Sequence, residues 1–127
     1  VHRLWLKGAK AGQQDVFVDE LPGTPDNIRF DGEDTFWIAM PSLRASIDLL
    51  APLPRLRALL SFLPIPWLEA AAQPASFVVG VNIEGEVIHN LQDQDNPFHY
   101  ITGVTPCGDT LYLGSLETEA IGILPKP

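Results

Sequence analysis

The chain has 127 residues, of which 46% are hydrophobic, a composition typical of one folded globular domain. Its formal net charge of -8 excludes a nucleic-acid partner, because no dense face of Lys and Arg is available to neutralise phosphates. We expect a soluble chain in an unassigned compartment, because no signal peptide opens it and no run reaches the roughly 18 apolar residues of a membrane span. The first residues, VHRLWL, already have the pattern of a strand, so we expect a fragment or a processed chain.

The chain contains two copies of one strand pattern. DTFWIAM, residues 34–40, matches DTLYLGS, residues 109–115, seventy-five positions later (109 − 34). The runs are rich in β-branched and aromatic residues and bounded by Gly, Pro, Asp and Asn, which is typical of short strands. Each match follows three further strand-like runs, which are VHRLWLKG, VFVDEL and PDNIRFDG in the first copy and FVVGVNIEGE, VIHNL and YITGVTPCG in the second.

A different segment, residues 43–73, separates the copies. Its leucines recur at helical spacing and its prolines interrupt them, which predicts a short helical excursion rich in Leu and Pro. Without its 31 residues, the repeat shortens from 75 to 44 (75 − 31), close to the roughly 40–50 residues of a propeller blade. We therefore predict an all-β chain, 1–127, of just under two blades of a β-propeller. A small β-sandwich with similar hairpins is the alternative.

Two blades cannot close a ring, because propellers have roughly four to eight. Either missing blades or self-association must then complete the fold. The excursion over 43–73 carries Trp67 and a net charge of +1 (three Arg minus two acidic residues). A membrane surface is therefore one possible partner for it. A lid over the channel or a cap facing a protein partner is the other interpretation.

Three segments resemble, in order, the C-terminal part of the strictosidine synthase-like family. They are LPGTPDNIRFDGEDTFWIAMPSLR, FVVGVNIEGEVIHNLQDQD and YITGVTPCGDTLYLGSL. The resemblance covers nearly the whole chain, from Val1 to Leu124. It implies a six-bladed calcium-dependent propeller, related to the paraoxonases and to the gluconolactonase (senescence marker protein) family.

The resemblance also implies a calcium site. Asp26 and Asn27 match the Asp-Asn pair of the (V/P)DNI motif of the hydrolase relatives, so we expect Asn27, and with it Asp26, to bind calcium. From the residues alone, Pro-Asp-Asn is also a good turn sequence. Strictosidine synthase itself uses a glutamate at the position that falls on Thr102. Because threonine cannot transfer a proton as a carboxylate does, synthase activity is not expected.

The repeat places Thr102 opposite Asn27, and His99 stands just before the same strand. We expect Thr102 and His99 to line a substrate pocket, with a solvated loop histidine as the alternative for His99. The family implies hydrolysis of a small lactone or aryl ester, with calcium polarising the substrate carbonyl. The alternative function is a non-catalytic binding or membrane-associated scaffold, in which Asp26 and Asn27 form a turn.

Overall fold

The computed structural model describes residues 1–43, 74–93 and 98–127, together with residues 52, 53, 55, 58 and 62. Within residues 1–43, 74–93 and 98–127, short antiparallel strands account for the regular structure, and the predicted all-β partial propeller is confirmed. The excursion predicted over residues 43–73 lies almost entirely outside the described residues. The strands are β1 (His2–Leu4), β2 (Gln14–Val16), β3 (Ile28–Phe30), β4 (Thr35–Ser42), β5 (Pro74–Asn82), β6 (Val87–Gln92), β7 (Ile101–Cys107), β8 (Thr110–Ser115) and β9 (Gly122–Pro125).

The strands are distributed over three sheets. One four-stranded sheet has the order β3-β4-β5-β6 and forms a complete blade, with β3 innermost and β6 outermost. β1 pairs with β2, and the repeat identifies them as the outer pair of another blade. The third sheet, β7-β8-β9, has the inner three strands of a blade. Each sequence copy is therefore divided between two sheets, and β9 is a strand that the two copies do not predict.

The turn between β5 and β6 rests on the segment that follows β2. The side-chain Oδ1 of Asn82 accepts the backbone N–H groups of Glu84 (3.1 Å) and Glu86 (2.8 Å), which closes the turn. Gly85 adopts a positive φ of 96° there. A Cβ atom on Gly85 would lie 1.8 Å from the carbonyl oxygen of Phe17. Glycine is therefore required both by the backbone conformation and by this close approach.

Side chains on both faces of β4 and β5 are buried, because these strands lie inside the molecule. Along β4, Trp37 and Ala39 point to one face and Ile38 and Met40 to the other. The first face packs on the β7-β8-β9 sheet through Ile101, Val104, Leu111 and Leu113. The second face packs on Phe17, Val18 and Leu21, which follow β2. The complete blade is thus held between its two neighbours by two separate apolar clusters.

Trp37 is part of this core. It pairs with Gly80 on β5, which in turn pairs with His89 on β6. Because Gly80 has no side chain, the rings of Trp37 and His89 stack across it, with centroids 5.3 Å apart and planes 16° apart. Trp37 is 0% exposed, as expected for a side chain in the core.

Candidate functional site at the start of the innermost strands

The innermost strands β3 and β7 start side by side. Asn27 directly precedes β3, and its side-chain Nδ2–H donates to the backbone carbonyl of Thr102 on β7 at 2.7 Å. This hydrogen bond joins two neighbouring blades. The structure thus brings together two of the residues that the sequence proposes for the site, at the spacing of the repeat (102 − 27 = 75).

The backbone fixes Asp26 and Asn27 along the edge of β4. The N–H of Asp26 donates to the carbonyl of Ala39 at 3.0 Å, and the N–H of Ala39 donates to the carbonyl of Asn27 at 2.9 Å. Asp26 and Asn27 therefore both bond to the backbone of Ala39 on β4, and the side chains of both residues are exposed. Because Thr102 takes an Nδ2–H of Asn27, the Oδ1 atom of the amide remains available as an acceptor.

The oxygen atoms at this place suit calcium in kind but not in number. The amide oxygen of Asn27, the carboxylate of Asp26 and the hydroxyl of Thr102 are hard donors of the type that calcium prefers, but calcium takes about six to eight of them. Within the described part of the chain, no three His, Cys, Asp or Glu side chains cluster closely enough to hold a metal ion. These residues fit as one part of a calcium site whose other ligands would come from elsewhere in a ring.

His99 lies just before β7 and has an acidic partner. Its Nε2 atom is 3.4 Å from Oε2 of Glu117, and the two side chains are 34% and 58% exposed. The sequence does not reveal this partner, because the loop after β8 brings it back from 18 positions further along the chain (117 − 99). The antiparallel pairing of β7 with β8 brings the segment before β7 and the loop after β8 to one end of the sheet, but only the fold of that loop decides that these two side chains meet.

Ser115 holds the loop around His99 in place. Its Oγ–H donates to the carbonyl of His99 at 2.7 Å, and the same Oγ accepts the N–H groups of Glu117 (3.1 Å) and Thr118 (3.0 Å). Tyr100 has a positive φ of 51°, which is uncommon for a residue with a side chain. The segment before β7 is therefore bound to the segment after β8, which fixes the backbone that carries His99.

The segment 43–73 leaves the blade at the same end as Asn27. Ile28 of β3 pairs with Ile38 of β4, and β4 continues past this point to Ser42, which pairs with Pro74. The connection between β4 and β5 therefore starts and ends beyond the start of β3. Among the residues that the structure describes, no helix is long and apolar enough to cross a membrane.

The opposite end of the same two sheets is joined by a buried carboxylate. Asp31, in the β3–β4 turn, is 2% exposed at its side chain, and its Oδ2 atom is 3.3 Å from Nζ of Lys126 beyond β9. Its Oδ1 atom accepts the N–H groups of Glu33, Asp34 and Thr35 at 3.0, 3.2 and 3.1 Å. Burial disfavours the ionised carboxylate of Asp31 and raises its pKa. The hydrogen bonds from the turn N–H groups and the charge of Lys126 have the larger effect, so the pKa of Asp31 lies below its ordinary value.

Comparison with known proteins identifies the family of the chain. No family model matches the chain. Protein STRICTOSIDINE SYNTHASE-LIKE 6 of Arabidopsis thaliana is 37% identical over 106 residues, which cover 83% of this chain and 28% of that protein. The chain belongs to the strictosidine synthase-like family. The resemblance that the sequence indicates is thereby confirmed.

Relatives in this family match over most of the chain. Protein STRICTOSIDINE SYNTHASE-LIKE 3 of Arabidopsis thaliana is 31% identical over 134 residues, covering 100% of this chain and 34% of the relative. Adipocyte plasma membrane-associated protein of Bos taurus is 30% identical over 124 residues, covering 92% of this chain and 30% of the relative. The chain therefore spans about a third of the length of the relatives that it matches.

Proposed function

We propose that a propeller containing this chain hydrolyses small lactones or aryl esters, with calcium bound in the channel at the start of the innermost strands. The observation that carries the proposal is the hydrogen bond from Asn27 to Thr102, which fixes an amide oxygen donor where two blades meet. The activity belongs to the whole ring, because this chain spans about a third of its relatives.

Asn27 is the proposed calcium ligand, through Oδ1, and Thr102 holds the rest of its amide in position. Asp26 supplies a carboxylate next to it, either as a second ligand or as a group that orients a neighbouring one. Bound calcium would polarise a substrate carbonyl and stabilise the negative charge that develops on its oxygen. The hydrogen bond to Thr102 orients the amide of Asn27, and with it Oδ1. Replacement by aspartate would remove the N–H that makes this bond.

His99 and Thr102 are the proposed pocket residues. The imidazole of His99 can accept a proton from an attacking water, and Glu117 beside it stabilises the imidazolium that forms. The hydroxyl of Thr102 can bind a substrate oxygen, but it cannot take the place of a carboxylate in proton transfer. This pairing supports hydrolysis rather than the condensation that strictosidine synthase performs.

The chain itself offers the first test, by calcium titration followed in ¹H–¹⁵N NMR spectra. We expect the largest shifts at the side-chain amide of Asn27 and at the backbone of Asp26 and Thr102. Asn27→Ala should abolish these shifts, whereas Asn90→Ala, which removes an exposed amide from the outer strand β6, should leave them unchanged. Shifts that persist in the Asn27→Ala chain would contradict the assignment of the ligand.

Activity tests the reaction class separately. In a full ring that contains this chain, we expect Asn27→Ala or chelation of calcium to lower aryl ester or lactone hydrolysis by about 10²-fold or more, the range for loss of one oxyanion-stabilising group. Hydrolysis that survives both treatments would exclude the metal from the reaction.

A non-catalytic scaffold at a membrane surface is the second candidate. One relative is named a plasma membrane-associated protein, and the segment 43–73 leaves the sheet at one defined end. Vesicles of anionic lipid should then co-sediment with the chain, and binding should weaken when Trp67 and Arg57 are both replaced by alanine. Absence of binding at low salt would contradict this candidate.

A further inference from the structure

Arg29 is the one charged residue on the two innermost strands that the structure describes. β3 has the sequence IRF and β7 has the sequence ITGVTPC, so the other residues on these strands are uncharged. Arg29 pairs with Trp37 of β4, and it is exposed although Trp37 is buried. Because the blades of a propeller surround a central channel, a closed ring would hold this guanidinium at the channel wall.

The blade does not require a cation at this place. Thr105 of β7 pairs with Tyr112, which lies 75 positions after Trp37 (112 − 37). Because Trp37 pairs with Arg29, Thr105 is the counterpart of Arg29 in the next blade. Thr105 is exposed and uncharged. The hydrogen bonds that join β3 to β4 come from the backbone, so the side chain at position 29 is free to serve another purpose.

The side chain of Arg29 lies on the same face of the blade as that of Asn27. Asn27 continues the pairing of β3, since its carbonyl accepts the N–H of Ala39, and side chains two positions apart in a strand share a face. This face packs on the β7-β8-β9 sheet, because Trp37 contacts that sheet and Asn27 donates to Thr102. The Cα atom of Arg29 therefore lies about 7 Å further along the channel than the Cα atom of Asn27.

No described residue neutralises Arg29. Within the described part of the chain, its guanidinium forms no ion pair and no hydrogen bond. Asp31, two residues further along, pairs with Lys126 instead and accepts three N–H groups of its own turn. Asp26 lies at the mouth of the channel, where the proposed calcium would offset its charge. The guanidinium is thus available to an anion from outside the described residues.

We propose that Arg29 binds a carboxylate of the substrate, so that the preferred substrates are esters or lactones with an ionised carboxylate at the far end of the acyl chain. A guanidinium and a carboxylate match in shape and form two parallel hydrogen bonds. The carboxylate that hydrolysis releases forms at the calcium beside Asn27, so the group at Arg29 is a second one. This inference rests on the proposed function, because it takes the start of β3 as the place of hydrolysis.

Two aryl esters of equal chain length test this selectivity in a full ring that contains the chain. Mono-p-nitrophenyl adipate ends in a carboxylate, whereas p-nitrophenyl hexanoate ends in a methyl group. We expect Arg29→Met to lower the ratio of kcat/KM for the half-ester to kcat/KM for the hexanoate by about tenfold to hundredfold, as for the loss of a hydrogen-bonded charge pair. Arg29→Lys keeps the charge but not the paired N–H groups, so it should lower the ratio less.

A control variant removes a positive charge elsewhere. Lys7→Met replaces an exposed cation in the connection between β1 and β2, and it should leave the ratio unchanged. A ratio that stays within about twofold of the native value in Arg29→Met, or that falls equally in Lys7→Met, would overturn the proposal.

Binding of adipate separates this inference from the proposed hydrolysis. Adipate has no scissile bond, so calorimetric titration measures its affinity without any reaction. At one ionic strength, we expect the native ring to bind adipate about tenfold or more tightly than the Arg29→Met ring. A ring that binds adipate through Arg29 but hydrolyses neither ester would contradict the proposed function alone. A ring that hydrolyses the hexanoate, while native and Arg29→Met proteins bind adipate equally, would contradict this inference alone.

Discussion

Replacing Asp31 should destabilise the junction between the complete blade and the β7-β8-β9 sheet. In Asp31→Ala, the N–H of Thr35, a residue that is 4% exposed, loses its acceptor, whereas the N–H groups of Glu33 and Asp34 can bond to water. A buried donor without a partner costs about 1–3 kcal/mol, and the lost hydrogen bonds to a charged acceptor add to this. We expect a loss of about 2–3 kcal/mol in the free energy of unfolding at neutral pH, or roughly 6–15 °C in Tm.

Asp31→Asn should cost less, about 1 kcal/mol, because an amide oxygen can still accept the turn N–H groups while the ion pair with Lys126 is lost. Glu33→Gln is the matched control, because its side chain is 75% exposed, and it should change stability by no more than about 0.5 kcal/mol. Urea denaturation at pH 7, followed by tryptophan fluorescence, measures all three.

The pH dependence gives an independent check. Because the pKa of Asp31 is lowered from 3.8 in the folded chain, its contribution is fully present above pH 4 and decreases as the pH falls through the folded-state pKa. The stability difference between the native chain and Asp31→Asn should therefore shrink below pH 4. Losses below 0.5 kcal/mol in both Asp31 variants, or a difference that stays constant down to pH 2, would refute the account of this junction.

Two further predictions concern the β1–β2 sheet and the β5–β6 turn, which rests on Phe17 just after β2. The bidentate pairing with Arg3 lowers the pKa of Asp15 to about 2. In Arg3→Met, carbon-detected NMR titration should show the pKa of Asp15 rising toward 3.8. An unchanged pKa would exclude Arg3 as the cause. Gly85→Ala should destabilise the chain by more than about 3 kcal/mol in chemical denaturation. Its Cβ would clash with the carbonyl of Phe17, and residue 85 has a positive φ that alanine disfavours. A loss below about 1 kcal/mol would contradict the close approach.

The sequence predicts the strands whose residues repeat and misses features that have no repeat. The match between residues 34–40 and 109–115 identifies β4 and β8, and the runs before them locate most of the remaining strands. The second predicted run, VFVDEL, overlaps β2 only at Val16, because Phe17, Val18 and Leu21 are buried after the strand has ended. Their apolar character reflects packing on the complete blade rather than strand pairing. β9 is missed because its counterpart β5 is longer and follows the segment 43–73.

The sequence also predicts which strand starts lie together but not what surrounds them. The spacing of 75 is enough to place Asn27 opposite Thr102, since equivalent strands of adjacent blades lie side by side. It does not predict that Glu117 accompanies His99, or that Ser115 binds the carbonyl of His99. Those contacts depend on how a loop folds back, which strand periodicity does not encode. The calcium and substrate roles of these residues remain predictions.

The position of residues 43–73 has an evolutionary consequence. They connect β4 to β5, and the pairing of these two strands does not involve them. The register is regular from the pair Thr35–Asn82 to the pair Met40–Phe77. The entropy of closing a loop grows only with the logarithm of its length, so this 31-residue connection costs about 1.4 kcal/mol more than the six residues between β8 and β9. Residues can thus be gained or lost here at little expense to the blade. A family built on this sheet can change the length of the connection between β4 and β5 without altering the frame that holds Asn27.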